Sequence, residues 1–286
     1  MPIDNRKVDA NGLTFAVDAA GEGDTVALLL HGFPESRQSW RGQLGALQAL
    51  GWRAAAPDLR GYGDSSRPQG KSPYRIEHLV DDVTALFEVL GARRRVLIGH
   101  DWGGVIAWQA ALRGAPLDGL VILNAPHPAT FRRALKSLEQ RLKSWYVAYF
   151  LLPWLPELML RRNHGEALAA LLRRQSPNFS PELLDILRRN IVQPGAATAM
   201  LNYYRANAIT LGGPGPWARI EVPTLMIWGE NDIALSLSLT EGLEPFVADF
   251  TLRRIPEASH WVQQDASAAV NQAIADWARA KGLAPS

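Results

Sequence analysis

The six residues GHDWGG at positions 99–104 carry the strongest structural signal in this chain. Before them, residues 95–98 predict a buried strand, and after them residues 105–112 predict a helix. Asp101 would therefore lie on a sharp strand-to-helix turn, the geometry of a nucleophile elbow, at the position where serine is the common residue. The glycines support this interpretation, because such a turn is strained and its backbone packs closely against the next element.

The carboxylate of Asp101 implies a particular chemistry. At this turn it would point out of the sheet at a helix N-terminus, where the helix dipole and free N–H groups favour negative charge. We therefore expect it to be ionised and exposed. A carboxylate that attacks a saturated carbon bearing a leaving group forms an ester on the protein, and water must then cleave that ester. The simpler alternative is that Asp101 only caps the following helix.

A second loop, HGFP at positions 31–34, follows the apolar run 26–30. That run predicts a buried strand, so this loop and the elbow should emerge at the same edge of one sheet. The backbone N–H groups of Phe33 and Trp102 can then point at one oxygen and form an oxyanion hole. Pro34 should stiffen the loop, with a cis peptide bond as one way to do so. Taken alone, HGFP is equally compatible with an ordinary loop.

Two later strands, predicted at 224–229 and 250–255, run into an acid and a histidine. Asp232 follows the first strand and His260 follows the second, so nucleophile, acid and histidine occur in the chain order used by the α/β hydrolases. His260 would activate water, and Asp232 would hold its tautomer and stabilise the imidazolium. A turn aspartate and a structural histidine are the simpler interpretations. The alternative acids nearby are Glu230 and Asp265.

Seven segments spread over nearly the whole chain make it resemble the α/β-hydrolase-fold epoxide hydrolases. They are, in order, HGFPES, PDLRGYGDSSRP, GHDWGG, LNAPHP, LNYYR, WGEND and ASHWVQQD. The resemblance implies an α/β-hydrolase fold, with an eight-stranded, mostly parallel sheet and an inserted all-helical cap. It also implies that Asp101 is the nucleophile, Asp232 the acid and His260 the base.

The resemblance further implies that two cap tyrosines donate hydrogen bonds to the epoxide oxygen, and these map onto Tyr146 and Tyr204. Opening an epoxide releases an alkoxide that is too basic to leave unassisted, and a phenol with a pKa of about 10 stays protonated to assist it. Phe33 and Trp102 would also contact the substrate. Core packing is the simpler role for any one of these tyrosines, and Tyr149, one helical turn from Tyr146, is an alternative donor.

These assignments predict an epoxide hydrolase that converts hydrophobic epoxides to vicinal diols. Asp101 would form a hydroxyalkyl ester, and water activated by His260 would hydrolyse it, with no metal or organic cofactor. Apolar residues such as Trp154, Leu155 and Trp217 suggest a hydrophobic substrate. The size of the epoxide and the regiochemistry and enantiopreference of its opening have no signal in the sequence.

Two other functions are compatible with the same residues. A haloalkane or haloacid dehalogenase uses the same Asp-His-Asp triad, and Trp102 is compatible with halide binding. Against it, Phe33 lacks the polar side chain that many such enzymes carry after HG, and the tyrosine pair favours an epoxide. A non-catalytic small-molecule receptor of the same fold is the third possibility, and the intact set of catalytic residues argues against it.

The pattern of elements predicts two domains. Strand-length and helix-length apolar segments alternate from residue 8 to 126 and strands resume at Pro223, which is typical of a mostly parallel sheet. The segment between them is helical, basic and aromatic. We predict a core domain of residues 1–127 and 216–286 and a cap at 128–215 that closes over the elbow, sheds water and supplies specificity.

Composition narrows the partners and the location. The chain has 286 residues, no cysteine and a formal net charge of +2, which excludes disulfides and thiol chemistry and argues against a nucleic-acid partner. No apolar run approaches the roughly 20 residues that span a bilayer, so no transmembrane segment is predicted. The first five residues lack the pattern of a signal peptide, which predicts a cytoplasmic location. Oligomeric state has no signal in the sequence.

The predicted cap gathers much of the positive charge. We expect these side chains on the solvent-exposed faces of its helices, while association of residues 151–160 with a membrane surface or a partner stays open. The basic residues are Arg132, Arg133, Lys136, Arg141, Lys143, Arg161, Arg162, Arg173, Arg174, Arg188 and Arg189.

Overall fold

The computed structural model describes residues 3–176, 178–208 and 215–284. Its eight strands form one sheet in the order β1-β2-β4-β3-β5-β6-β7-β8. The strands are β1 (Asp4–Ala10), β2 (Leu13–Ala20), β3 (Thr25–Leu30), β4 (Arg53–Pro57), β5 (Arg94–His100), β6 (Gly119–Leu123), β7 (Thr224–Gly229) and β8 (Phe250–Ile255). The β1–β2 and β2–β4 pairs are antiparallel and the other pairs are parallel, which confirms the predicted fold class.

Helices cover both faces of the sheet. Consecutive residues of a strand point to opposite faces, so Leu28 and Leu29 pack in two separate hydrophobic clusters, one on each face of the sheet. Because both faces are buried, the central strands are continuous apolar runs and not alternating ones. The core helices are α1 (Arg41–Ala49), α2 (Ile76–Val89), α3 (Trp102–Leu112), α11 (Val262–Asp265) and α12 (Ser267–Ala280).

Between β6 and β7 the described residues contain helices and no strand. We call this segment the cap; its bounds as a separate domain, 128–215, stay a prediction. Its helices are α4 (Pro128–Ala134), α5 (Leu138–Lys143), α6 (Trp145–Phe150), α7 (Leu155–Arg161), α8 (Glu166–Gln175), α9 (Pro181–Val192) and α10 (Ala196–Asn207). Within the described ranges, none of the helices is both long and apolar enough to cross a bilayer.

Candidate active site

Asp101 lies between β5 and α3 with φ 49° and ψ −118°, a conformation that is strained for a residue with a side chain. Its neighbours are small for a steric reason. A Cβ added at Gly103 would lie 2.0 Å from the carbonyl oxygen of Leu30, and one at Gly32 would lie 2.4 Å from Cβ of Asp101. The Asp101 side chain is only 16% exposed, so the expectation of an exposed carboxylate is wrong, because the cap covers it.

The HGFP loop and the elbow emerge side by side, since β3 and β5 are parallel neighbours with Leu30 opposite Gly99. The Phe33 N–H donates to Oδ1 of Asp101 at 2.7 Å, and the Phe33–Pro34 peptide bond is cis. Trp102 is the first residue of α3, where a backbone N–H has no acceptor within the helix. One N–H donor, that of Phe33, therefore contacts the Asp101 carboxyl group, and the N–H of Trp102 follows Asp101 directly in the chain at the free end of α3.

His260 lies between the carboxylates of Asp232 and Asp101. Its Nδ1 lies 2.6 Å from Oδ2 of Asp232, and because a carboxylate only accepts, Nδ1 carries the proton of this hydrogen bond. Its Nε2 lies 3.6 Å from Oδ2 of Asp101. The imidazole is thus oriented by one carboxylate and faces the other.

The acid loop holds Asp232 through both carboxyl oxygens. Oδ2 accepts from Nδ2 of Asn124 at 2.8 Å, and Oδ1 accepts from the backbone N–H groups of Ala234 and Leu235 at 2.7 and 2.9 Å. Lys143 in the cap donates to the Asp232 carbonyl oxygen at 2.7 Å and so ties the cap to this loop.

The other two candidate acids do not contact the histidine ring. Oδ2 of Asp265 accepts from the Ser259 N–H at 2.8 Å, and its other oxygen is bonded to the Ser176 hydroxyl in the cap. Glu230 is bonded through its backbone N–H to the carbonyl oxygen of Ile255. Of the three candidates, the structure brings only Asp232 to His260.

The charges of the three groups stabilise one another. Burial opposes the charge of Asp101, but the hydrogen bond and charge of His260 and the Phe33 N–H outweigh it and lower the pKa of the Asp101 carboxyl. Burial likewise opposes ionisation of Asp232, and His260 with Asn124 lowers its pKa. Burial would lower the pKa of His260, but the two carboxylates raise it to about 10. The resting site therefore holds two carboxylates around a protonated imidazole.

Two tyrosines face this triad from the cap. Tyr146 in α6 and Tyr204 in α10 line the same cavity as Asp101, with their ring centres 6.2 Å apart. Burial, together with the negative charge of Asp101, raises the pKa of each phenol well above 10. Both hydroxyls consequently stay protonated and are able to donate.

The neighbouring tyrosines direct their hydroxyls elsewhere. The Tyr149 hydroxyl lies 3.4 Å from the Leu155 carbonyl oxygen, although its ring lines the cavity. The Tyr203 hydroxyl donates to the Arg60 carbonyl oxygen at 2.8 Å and is fully buried. This geometry favours Tyr146 over Tyr149 as the first cap donor.

Two cavities meet at Asp101, Tyr146 and Tyr204. The wide cavity has a volume of about 410 Å³ and the narrow cavity one of about 70 Å³. Apolar side chains that line the wide cavity include Phe33, Phe150, Leu168, Leu172 and Trp261. Those that line the narrow cavity include Trp102, Val105, Phe131, Val147 and Leu235.

The residues expected to make the site apolar lie elsewhere. Trp154 and Leu155 are 79% and 48% exposed on the outside of the cap, and Trp217 packs against His127 and Phe246. The sequence shows that these residues are apolar but not the direction in which they point, because that direction depends on how the short helices pack.

Sequence reasoning missed a buried polar group behind the elbow. His100 Nε2 donates to the carbonyl oxygen of His260 at 2.9 Å, and Nδ1 lies 3.0 Å from Oε2 of Glu35. Gln263 donates to the same Glu35 oxygen at 3.1 Å. Glu35 comes directly after the HGFP loop, and His100 comes directly before Asp101. The available signal was that each of these polar residues adjoins a loop predicted to belong to the site. In the described residues, no cluster of three or more His, Asp and Glu could hold a metal ion.

Comparisons with known proteins agree with this architecture. A family model described as alpha/beta hydrolase fold matches residues 26–267. The chain is 40% identical to the AB hydrolase superfamily protein YfhM of Bacillus subtilis, over 94% of this chain and 96% of that protein. It is 37% identical to epoxide hydrolase 4 of Homo sapiens, over 94% of this chain and 76% of that protein. A solved structure described as a novel epoxide hydrolase from metagenomes of hot environments superposes with a TM-score of 0.87 at 36% identity. The superposition covers 97% of this chain and 99% of that structure.

Proposed function

The chain belongs to the alpha/beta hydrolase fold family and, within it, to the epoxide hydrolases, and from this we propose that it is a hydrolase that opens hydrophobic epoxides to vicinal diols. The observation that carries the proposal is the arrangement of Asp101 and two protonated phenols around one cavity. The carboxylate faces the substrate from the core and the hydroxyls face it from the cap. An epoxide needs both, since a carbon must be attacked while its oxygen receives a proton.

In the first step Oδ2 of Asp101 attacks one epoxide carbon, and the bond from that carbon to the ring oxygen breaks. The assignment to Oδ2 rests on geometry, because Oδ1 already accepts from the Phe33 N–H. Tyr146 and Tyr204 donate hydrogen bonds to the departing oxygen, and one of the two phenols transfers its proton to it, so that the oxygen becomes a hydroxyl. Solvent then supplies a proton to the phenolate that is left. The product of this step is a hydroxyalkyl ester in which Oδ1 is the acyl oxygen.

In the second step water cleaves that ester. Esterification removes the negative charge of Asp101, one of the two charges that raise the pKa of His260, so His260 gives up its proton more easily once the ester exists. The neutral imidazole takes a proton from water, and the hydroxide attacks Cγ of Asp101. The oxyanion develops on Oδ1 between the N–H groups of Phe33 and Trp102. When this intermediate collapses, the bond from Cγ to Oδ2 breaks, and His260 gives its proton to the departing alkoxide, which leaves as the diol with Oδ2 in it. The carboxylic acid that remains on Asp101, now with the oxygen of the water, gives its proton to His260, and both charges of the resting site are restored.

The two cavities suggest the shape of the substrate. Both open onto Asp101 and the tyrosine pair, so the two carbons of an epoxide would carry their substituents in opposite directions. The wide cavity suits one large apolar group, and the narrow one suits hydrogen or a short alkyl group. We therefore propose terminal epoxides, or epoxides with one short second substituent, as the preferred class.

A matched panel tests the reaction type. The panel contains an epoxide, a chloroalkane, a bromoalkane and a carboxylic ester that share one aryl group. We expect diol formation from the epoxide to exceed halide release by at least about 100-fold. The reason is that the site supplies proton donors, which an epoxide oxygen needs and a halide does not, and a general acid contributes about 10² to 10⁴ in rate. Faster halide release would assign the site to a dehalogenase. Binding of every compound without turnover would assign it to a receptor.

The pH dependence separates the two steps. Asp101 has a lowered pKa and both tyrosines have raised ones, so the rate of ester formation should vary less than about threefold from about pH 6 to about pH 9. Ester hydrolysis needs neutral His260, so its rate should rise with pH by about tenfold per unit below the pKa that His260 has in the ester. That kinetic pKa should lie below the resting value of about 10. Single-turnover kinetics measure both rates; hydrolysis that slows as pH rises would contradict the role of His260.

A further inference from the structure

The cap carries an apolar stripe that no described residue covers. Leu138 and Leu142 are one turn apart on α5 and so share a face of that helix, and Trp145 is the first residue of α6, two residues after α5 ends. Their exposed fractions are 65%, 63% and 67%. Single exposed apolar residues are ordinary, but a row of large ones marks an interaction surface.

A second exposed group lies on the turn into α7. Trp154 is 79% exposed and has φ 58°, a left-handed conformation that is strained for a bulky residue. Leu158, one helical turn later, is 68% exposed, and Met159 is 44% exposed. The backbone holds an indole in solvent although this costs conformational energy, which is typical of a segment that binds something.

The two groups meet at the mouth of the wide cavity. Trp145 and Met159 line that cavity while remaining largely exposed, and Trp154, Leu158 and Met159 line an outer groove beside it. The apolar surface is therefore continuous from the outside of the cap to the nucleophile. We name this surface the mouth patch, which consists of Leu138, Leu142, Trp145, Trp154, Leu158 and Met159.

Positive charge surrounds the mouth patch. Arg161 and Arg162 line the outer groove with Trp154 and Leu158, and Arg141 lies between Leu138 and Trp145 on the chain. All three arginines are exposed, and the described part of the chain places no carboxylate oxygen within 4 Å of their guanidinium nitrogens. Their charges are thus available to a partner.

The whole chain is also polarised, with net positive charge in the cap and net negative charge in the rest of the molecule. Residues 128–215 contain twelve Lys and Arg against five Asp and Glu, a net charge of +7, whereas the whole chain has +2. The remainder consequently carries −5. A molecule with this polarity turns its cap, and with it the mouth of the cavity, toward a negative surface.

We infer that the mouth patch docks on an anionic lipid bilayer and that apolar epoxides enter the wide cavity directly from the lipid. Aromatic and leucine side chains ringed by arginines match the interfacial region of a membrane, where apolar groups enter and cations pair with lipid phosphates. A second copy fits less well, because a two-fold contact through the same patch would bring two caps of charge +7 together. The entry of substrate from lipid rests on the proposed function, but the docking does not.

Flotation of the protein with lipid vesicles tests the docking without any substrate. We expect the protein to float with mixed phosphatidylglycerol and phosphatidylcholine vesicles at low salt, to bind phosphatidylcholine alone weakly, and to lose binding as salt is raised. The change Arg161→Ala with Arg162→Ala should weaken binding by about 25-fold, since each cation near such a surface contributes about fivefold. Trp154→Ser with Leu158→Ser should weaken it by at least about tenfold.

Matched control changes lie at the opposite end of the sheet. Val89, at the end of α2, is 56% exposed, and Arg113, just after α3, is exposed. Val89→Ser and Arg113→Ala should leave vesicle binding unchanged within about twofold. Absence of flotation at low salt, or equal losses in the controls and the patch variants, would overturn the inference. A concentration-dependent dimer that Trp154→Ser abolishes, with no flotation, would assign the patch to a second copy.

Turnover measurements separate this inference from the proposed function. A water-soluble epoxide without vesicles should be hydrolysed at the same rate by the Trp154→Ser, Leu158→Ser variant and the unchanged protein, since neither residue lines the wide or the narrow cavity. A long-chain epoxide dissolved in anionic vesicles should be hydrolysed about tenfold more slowly by the variant, in proportion to its lost binding. Equal rates on the vesicle substrate would overturn entry from lipid. Failure to hydrolyse either epoxide would reject the proposed function and leave the flotation result valid.

Discussion

A His260→Gln variant incubated with an epoxide substrate should accumulate one covalent adduct per chain on Asp101. Glutamine does not act as a base, so water is not activated and the ester should persist about 10² to 10⁴ times longer than in the unchanged protein. The first step should continue, because the nucleophile and both cap phenols remain. Intact mass should rise by the mass of one epoxide, and peptide mapping should place the label on Asp101.

Two further variants complete this experiment. Asp101→Ala should show no label and lose turnover by at least about 10⁴, since loss of a nucleophile removes the whole covalent route. His78→Gln is the matched control, because His78 is a half-buried histidine on α2 that does not line either cavity, and it should turn over normally without accumulating an adduct. Stoichiometric label on another residue, or none with an epoxide that the unchanged protein hydrolyses, would exclude Asp101 as the nucleophile.

The second large effect is expected at the cap tyrosines. Tyr146→Phe and Tyr204→Phe should each slow ester formation, and the double change should nearly eliminate it, by about 10² to 10⁴. Because the two phenols donate to the same oxygen, the phenol that remains in each single variant should partly compensate for the lost donor. Hydrolysis of an ester already formed should change far less, because that step uses His260 and the two backbone N–H groups.

Rapid-mixing kinetics on folded variants separate the two steps. Tyr149→Phe is the matched control: its hydroxyl is directed at the Leu155 carbonyl oxygen, so ester formation should change by less than about threefold. A double variant that still forms the ester at a near-normal rate would show that another group donates or that the leaving group needs no proton. Release of chloride or bromide by that variant would then identify a dehalogenase.

Local sequence patterns were sufficient for the sheet and the elbow. The apolar runs at 26–30 and 224–229 correspond to β3 and β7, because strands buried on both faces must be continuously apolar. The strained turn at Asp101 followed from the glycines around it. The helical stretch between β6 and β7 followed from the absence of strand patterns, although its bounds as a domain remain a prediction.

Local sequence patterns could not predict which distant segments contact each other. Asp232 and Glu230 are two residues apart, and only the path of the loop, held by Asn124 and two backbone N–H groups, directs one of them to His260. The buried pair of Glu35 and His100 likewise joins residues that are 65 positions apart. Nothing in the local sequence around either member specifies the other.

The placement of the site loops at one edge of the sheet was therefore readable from the chain, because the carboxyl ends of parallel strands share that edge. The chemistry assigned to these loops remains a prediction. Only the tertiary structure determines which of these side chains are buried and which are exposed to solvent. It buries most of the Asp101 side chain beneath the cap, turns Tyr146 and Tyr204 toward it, and leaves Trp154 in solvent. Hydrophobic periodicity defines which face of a helix is apolar, but the packing of several short helices defines whether that face meets the core, a cavity or the surface.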